Sequence, residues 1–220
     1  MKKKLNNIKY DLLEQWKKSF DYKGFSDLKL EEIKKLLLRQ KNISLLTEKY
    51  GADILLDLEK LNISLIKSQA IAKKRGDLFE EFILSNSLKI TAGKDVEIYT
   101  QIDKKSCLFP DFLKKDIPID KIDLLIKSKD YNAVCYIQVS LWGGGQQLNR
   151  GEKYNSIEKN SLYDICHANG WKFHTIVCNE PPNMSTTSKE TRTFQIIKSG
   201  HENNIMMYPS KFFHILKEIQ

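Results

Sequence analysis

The sequence predicts an α/β protein, a sheet with helices on both faces behind a helical N-terminal region, and three observations predict it. Residues 1–73 carry helical spacing with no strand alternation. From residue 74 onward, helix-like and strand-like stretches follow one another, the order expected of an α/β sheet. The stretch "KIDLLIKSKDYNAVCYIQVS" holds two apolar runs around a polar turn, which reads as a hairpin. With 220 residues, 41% of them hydrophobic, the chain suffices for one sizeable core, so residues 74–220 are expected to form that core and 1–73 an appended helical region.

Taken in order, "SDLKLEEIKKLLLRQ" offers Ser26 or Asp27 as a cap and sets Leu30, Ile33, Leu37 and Leu38 on one face. "ISLLTEKYGADILLDLEKL" reads as two helices separated at Gly51. A DNA-reading helix-turn-helix would want donors on the second helix, which carries Asp53, Asp57 and Glu59, so a packing hairpin is expected. "DLFEEFILSNSL" places Leu78, Phe79, Phe82 and Ile83 on one helical face, with Glu80 and Glu81 beside that stripe. "KDVEIYTQI" alternates as a strand, with Val96, Ile98 and Thr100 on one side. Residues 103–120, lysine-rich and broken by Pro110 and Pro118, read as a loop able to reach a partner. In the hairpin, Asp123 opens the first strand and Gln138 closes the second. "RGEKYNSIEKNSLYDICHANG" reads as one helix with Tyr154, Ile157, Leu162 and Ile165 inward and Gly170 as its stop. "WKFHTIVCN" is a buried strand, residues 180–200 are polar and unperiodic, "NNIMMYP" is a short strand, and "SKFFHILKEI" is a closing helix capped by Ser210.

The net charge of +8 and pI near 9.1 favour a polyanionic partner. "MKKKLNNIKY" has no apolar run behind it of the length a signal peptide needs, and no stretch is long enough to span a membrane, so a cytoplasmic protein is expected. Cys107, Cys135, Cys166 and Cys178 lack metal-ligand spacing and read as reduced thiols. His167, His174, His201 and His214 share no ligand spacing and read as packing or surface residues.

Hydrolysing a phosphodiester near neutral pH calls for a hard cation to stabilise developing charge and acidify a water. A helix glutamate, an acid at a strand start and a side chain at the end of the hairpin partner are a minimal way to converge its ligands. Glu80, Asp123 and Gln138 occupy those places. Glu81 is the alternative if the helix is rotated, and the literal "PD" at Pro110 and Asp111 lies in a segment without strand alternation.

Here the sequence resembles the PD-(D/E)xK nuclease superfamily, and within it the type II restriction endonucleases. The resemblance covers about residues 73–178: "RGDLFEEF" is similar to the helix bearing the family's glutamate, "IDLLI" to the strand bearing its aspartate, and "IQVSLW" to the strand bearing its signature. "LWGGGQQLNRGEKY" is similar to the loop and helix that follow. The resemblance implies a mixed central β-sheet flanked by helices, Mg²⁺ held by Glu80, Asp123 and the Val139 carbonyl, a homodimer cutting double-stranded DNA, and a companion DNA methyltransferase. Two positions depart from the pattern: Gln138 replaces the second acid, and Ser140 stands at the lysine position. Glutamine offers an amide oxygen but removes a charge, and serine supplies no cation. Lys153 or Arg150, from the next helix, is expected to supply it.

"GGGQQLNRGEKY" lacks the spacing of a Walker loop. Gly144 and Gly145 let the backbone approach a phosphate, Gln146, Gln147 and Asn149 can bond to bases or backbone, and Arg150 and Lys153 share a helix face. The rival expectations are a catalytically inactive DNA-binding protein on the same scaffold and a repair or RNA-processing nuclease.

Overall fold

The structure is a computed structural model that describes residues 14, 15, 18, 76–114, 119–139, 141, 146–155, 161–178 and 191–220. The chain divides into two compact units, residues 1–22 with 79–220 and residues 23–78. The expected helices at 26–40 and 43–61, including the helix-turn-helix question, lie outside the described residues.

Helix α1 runs over 76–91, and Phe79 and Ile83 bury the stripe expected of it. Gly93, at φ +80°, turns the chain into β1 (Val96–Asp103). A four-residue helix, α2 (Asp111–Lys114), precedes the hairpin of β2 (Lys121–Ser128) and β3 (Ala133–Gln138). Helices α3 (Gln146–Asn155) and α4 (Ser161–Ala168) lead to β4 (Lys172–Val177). Then come α5 (Arg192–Glu202), β5 (Met206–Met207) and α6 (Pro209–Glu218). The five strands form one mixed sheet in the order β1-β2-β3-β4-β5, antiparallel across β1, β2 and β3 and parallel across β3, β4 and β5. The fold class expected from the sequence is therefore the one observed, an α/β sheet flanked by helices.

The centre is dry because the inner strands are apolar on both faces. Leu124, Leu125, Ile126, Ala133, Val134 and Cys135 are all fully buried, the pattern of strands covered on two sides rather than one. Gly170 stops α4 as expected: at φ +74° it lets its own N–H reach His167 O (3.1 Å) and the Trp171 N–H reach Cys166 O (2.8 Å), the paired bonds of a Schellman turn.

Four readings are corrected. Residues 103–114 are not a loose partner-reaching loop, since Phe109, Pro110 and Leu113 are buried and α2 packs on the core. The single helix expected after the glycines begins earlier, at Gln146, and is described as two helical segments with 156–160, and so Ile157, outside the described residues. Residues 192–200, within the 180–200 stretch read as unperiodic, belong to α5, capped by Thr191, whose side chain accepts the Phe194 N–H. Finally, α6 starts at Pro209 and its cap position is Tyr208; the Ser210 hydroxyl instead donates to Gln15 O at 2.6 Å.

Glycine sets how closely α3 and α5 meet. A Cβ on Gly151 would lie 3.0 Å from Leu141 O and 3.1 Å from Ile196 Cδ1. One on Gly200 would lie 2.9 Å from Met206 Cβ and 3.1 Å from Asn155 Cβ. Each helix thus gives up a side chain where the other approaches.

Candidate active site

The sheet opens around Asp123. Between β1 and β2 the register passes from Thr100↔Leu124 to Ile102↔Ile122, so the unpaired Gln101 stands opposite Asp123. Between β2 and β3 the pairing ends at Leu124↔Cys135. Beyond that point the Ile137 N–H bonds to the Asp123 carboxylate at 3.0 Å. Asp123 is consequently the third residue of β2 rather than its first, and its flanking residues Ile122 and Leu124 are fully buried.

An ionised carboxylate here is poorly solvated. Burial raises its pKa, opposed in part by the Ile137 N–H and by the positive charges of Lys121 and Arg150. Tyr136 and Tyr154 stack at 4.4 Å between centroids, and the Tyr136 hydroxyl donates to Lys121 O at 3.2 Å. Burial lifts both phenols, and the charge of Asp123 lifts them further. They remain neutral near pH 7 and line the Asp123 side of the sheet.

Glu80 is half-buried on α1 and accepts a hydrogen bond from Gln101 Nε2 at 2.9 Å; Glu81, its neighbour, is exposed. The alternative left open between them now has a geometric distinction: Glu80 is the one joined to β1. Gln138 ends β3 and is half-buried, with its carbonyl accepting the Cys178 N–H at 3.2 Å. By register Asp123 lies across from Tyr136, and strand alternation puts Tyr136 and Gln138 on the same face. Val139 follows at a bend, half-buried.

Ser140, Gly144 and Gly145 lie outside the described residues. Gln146 and Gln147 form the first turn of α3, and Asn149 and Arg150 are exposed on it. Asn149 Oδ1 accepts from Arg192 Nη2 at 2.9 Å, while Arg192 Nε bonds to Glu152, so this face of α3 is tied to the start of α5. The two cations expected to act at this site, Arg150 and Lys153, separate here. Arg150 acts electrostatically on Asp123, whereas the Lys153 ammonium lies over the Tyr154 ring, 5.7 Å from its centroid. Asp111 is exposed and paired with Lys114 at 2.6 Å, away from any buried strand position.

Among the described residues no three His, Cys, Asp or Glu side chains converge on a metal position. The candidate ligands Glu80, Asp123 and Gln138 offer carboxylate and amide oxygens. Those are hard ligands, and Mg²⁺ needs only one or two carboxylates because it keeps waters of its own, so the residues fit it.

No family model, curated protein or solved structure matches the chain. Among the described residues no helix is long and apolar enough to cross a membrane.

Gln101 is the residue that sequence reading passed over. Its φ is +52°, in the left-handed region that side chains other than Gly, Asn and Asp rarely adopt. A polar residue in an alternating strand looks like ordinary solvent-facing surface, and nothing in the letter Gln announces that backbone.

Proposed function

We propose that the chain is a Mg²⁺-dependent DNA endonuclease of the restriction type, cutting both strands at a defined sequence. The observation that carries this reading is the carboxylate of Asp123, set where the sheet ladder releases it on both sides and within reach of the charge of Arg150. Structural aspartates gain nothing from such a position, because burial penalises their charged form; a cation would repay it.

Glu80 and Asp123 would hold Mg²⁺, with the Gln138 amide oxygen and the Val139 carbonyl completing its protein ligands. Bound there, Mg²⁺ supplies charge stabilisation at the phosphate and a water of lowered pKa. The chain's own residues do the rest. The Ile137 N–H fixes one Asp123 oxygen, and Gln101 fixes one Glu80 oxygen. Arg150 brings the positive charge that Ser140 cannot, and the start of α3, with Gln146, Gln147 and the glycines before it, offers donors to the nucleic-acid backbone and bases. Cutting both strands symmetrically calls for a twofold homodimer, and a self-protecting cell would need a companion methyltransferase; the setting is cytoplasmic.

The test is incubation of the purified protein with unmethylated phage DNA, with Mg²⁺ or with EDTA, beside Asp123→Ala. Discrete bands that require Mg²⁺ and vanish in the variant are expected. A second reading, DNA binding without cleavage, is favoured by the uncharged Gln138. It predicts salt-sensitive gel shifts with intact DNA under every metal condition.

A further inference from the structure

We propose that Gln101 is a positioning residue: its left-handed backbone turns the amide out of β1 to orient the Glu80 carboxylate, so that Glu80 and Asp123 bind one divalent cation together. The inference rests on the metal-dependent reading above.

Three features of the structure converge on this residue. First, the strand is regular on either side of it: Thr100↔Leu124 and Ile102↔Ile122 keep one register, so no residue is inserted and the departure is confined to Gln101. A bulge that merely ended or re-aimed the strand would shift that register. Second, the excursion falls opposite Asp123, the half-buried acid whose neighbours in both ladders have let it go. Third, the amide that the turn releases is bonded to Glu80 at 2.9 Å. One residue therefore touches one acid and stands across the ladder from the other, and directly opposed strand residues have Cα atoms only about 4.5–5.5 Å apart.

A non-glycine residue held at positive φ inside a strand is unfavourable, and such strain persists where surrounding contacts over-determine it, often where function needs it. Edge-strand stability does not require it, since a regular β1 would keep the Gln101 pairing with β2. The N–H donor from the amide to one carboxylate oxygen is the kind of outer contact that fixes how a ligating carboxylate points.

The two roles, holding up the fold and aiming a ligand, predict opposite signs for one substitution. Gln101→Gly keeps the backbone angle at no steric cost and removes the amide. If Gln101 aims a ligand, the full-length variant melts in EDTA at or above the wild-type temperature, while its affinity for Mn²⁺, measured by calorimetry or by the free-ion spin-resonance signal, falls roughly 10- to 100-fold. Wild type should bind Mn²⁺ at a site that Glu80→Gln and Asp123→Asn abolish. Gln101→Asn, which also tolerates positive φ but carries a shorter amide, should weaken Mn²⁺ in the same direction and serves if the glycine variant does not fold.

The outcomes separate the claims. Mn²⁺ held as tightly by Gln101→Gly as by wild type, with Glu80→Gln and Asp123→Asn inactive in binding, overturns the role of Gln101 and leaves the nuclease reading standing. A loss of affinity accompanied by a matching drop in melting temperature also overturns it, in favour of a structural role. Wild type that binds no Mn²⁺ at all removes the metal-dependent reading and this inference with it.

Discussion

Asp123 and His174 are taken out of water on the two strands that flank β3, and the fold treats them in opposite ways. The imidazole of His174 is fully provided for: Tyr131 O–H donates to Nε2 at 2.6 Å and Nδ1 donates to Asn204 O at 3.2 Å. That arrangement suits the neutral ring, and burial, aided by the charges of Lys172 and Lys211, lowers its pKa to about 4. At Asp123 the surroundings are mixed, with burial opposing the charge and one N–H and two cations favouring it. Burial of a titratable group therefore marks no site by itself. The distinguishing feature is an environment that leaves the charged form in need of something more.

The comparison breaks most visibly at Asp123. Asp123→Asn should reduce the proposed Mg²⁺-dependent cleavage by roughly 10²- to 10³-fold, comparable to removing a principal electrostatic group, while stability in urea rises by about 1 kcal/mol near pH 7. The sign follows from linkage. An acid whose folded pKa is raised holds its proton more tightly when folded, so wild-type stability falls as pH rises through that folded pKa. The asparagine variant should lack this slope; an equal slope in both proteins would remove the claim that Asp123 is strained by burial.

At His174 the slope runs the other way. Its folded pKa lies near 4 against the ordinary 6.5 of histidine, so the unfolded chain takes up a proton first as the pH drops. Stability is fully present above pH 6.5 and declines toward pH 4 by about 3 kcal/mol. Denaturation midpoints measured across that range should show the decline in wild type and a much flatter profile in His174→Gln. A persistent decline in the variant would assign the acid sensitivity elsewhere.

A smaller effect tests what holds the His174 side closed. Gly200 O accepts the Ile205 N–H at 2.9 Å, fixing the turn whose Asn204 carbonyl meets His174. A methyl at Gly200 would press on Met206 Cβ at 2.9 Å, an atom that cannot swing aside. Gly200→Ala should cost about 1–3 kcal/mol by overpacking, although alanine is the better helix former. Its NMR titration should place the His174 pKa higher than in wild type, because a displaced Asn204 opens the ring to water. Wild-type stability with an unmoved titration would show that the turn yields freely.

Much of this fold is legible in the sequence because apolar patterning is strong where strands and helices are long. The runs at 122–126 and 133–137, the stripe of Phe79 and Ile83, and the Gly170 stop all follow from side-chain type alone. Helix α5 is hidden because Gly200 occupies a buried helical position where a hydrophobic residue would have declared the period. Residues 103–114 mislead in the opposite way, since lysines dominate the letters while Phe109 and Leu113 do the packing. Around the candidate site, Asp123 and Glu80 can be picked out as acids beside apolar runs. The left-handed Gln101 cannot, because that backbone depends on contacts between α1 and β1 that only folding creates.

The finest distinction concerns Arg150, whose charge lowers the pKa of Asp123 and so works against burial. Removing it should push the Asp123 pKa higher, which moves the acid limb of the cleavage pH profile upward and slows cleavage near pH 7 by roughly 2- to 5-fold, the scale of an exposed charge contact. Lys153→Ala should have the smaller effect, because the Lys153 ammonium lies over the Tyr154 ring. The His174 titration should stay where it is in both variants, since neither cation acts on that ring. A larger loss in Lys153→Ala than in Arg150→Ala, with the acid limb moved only by the former, would assign the proposed cationic role to Lys153 and leave the contrast between Asp123 and His174 intact.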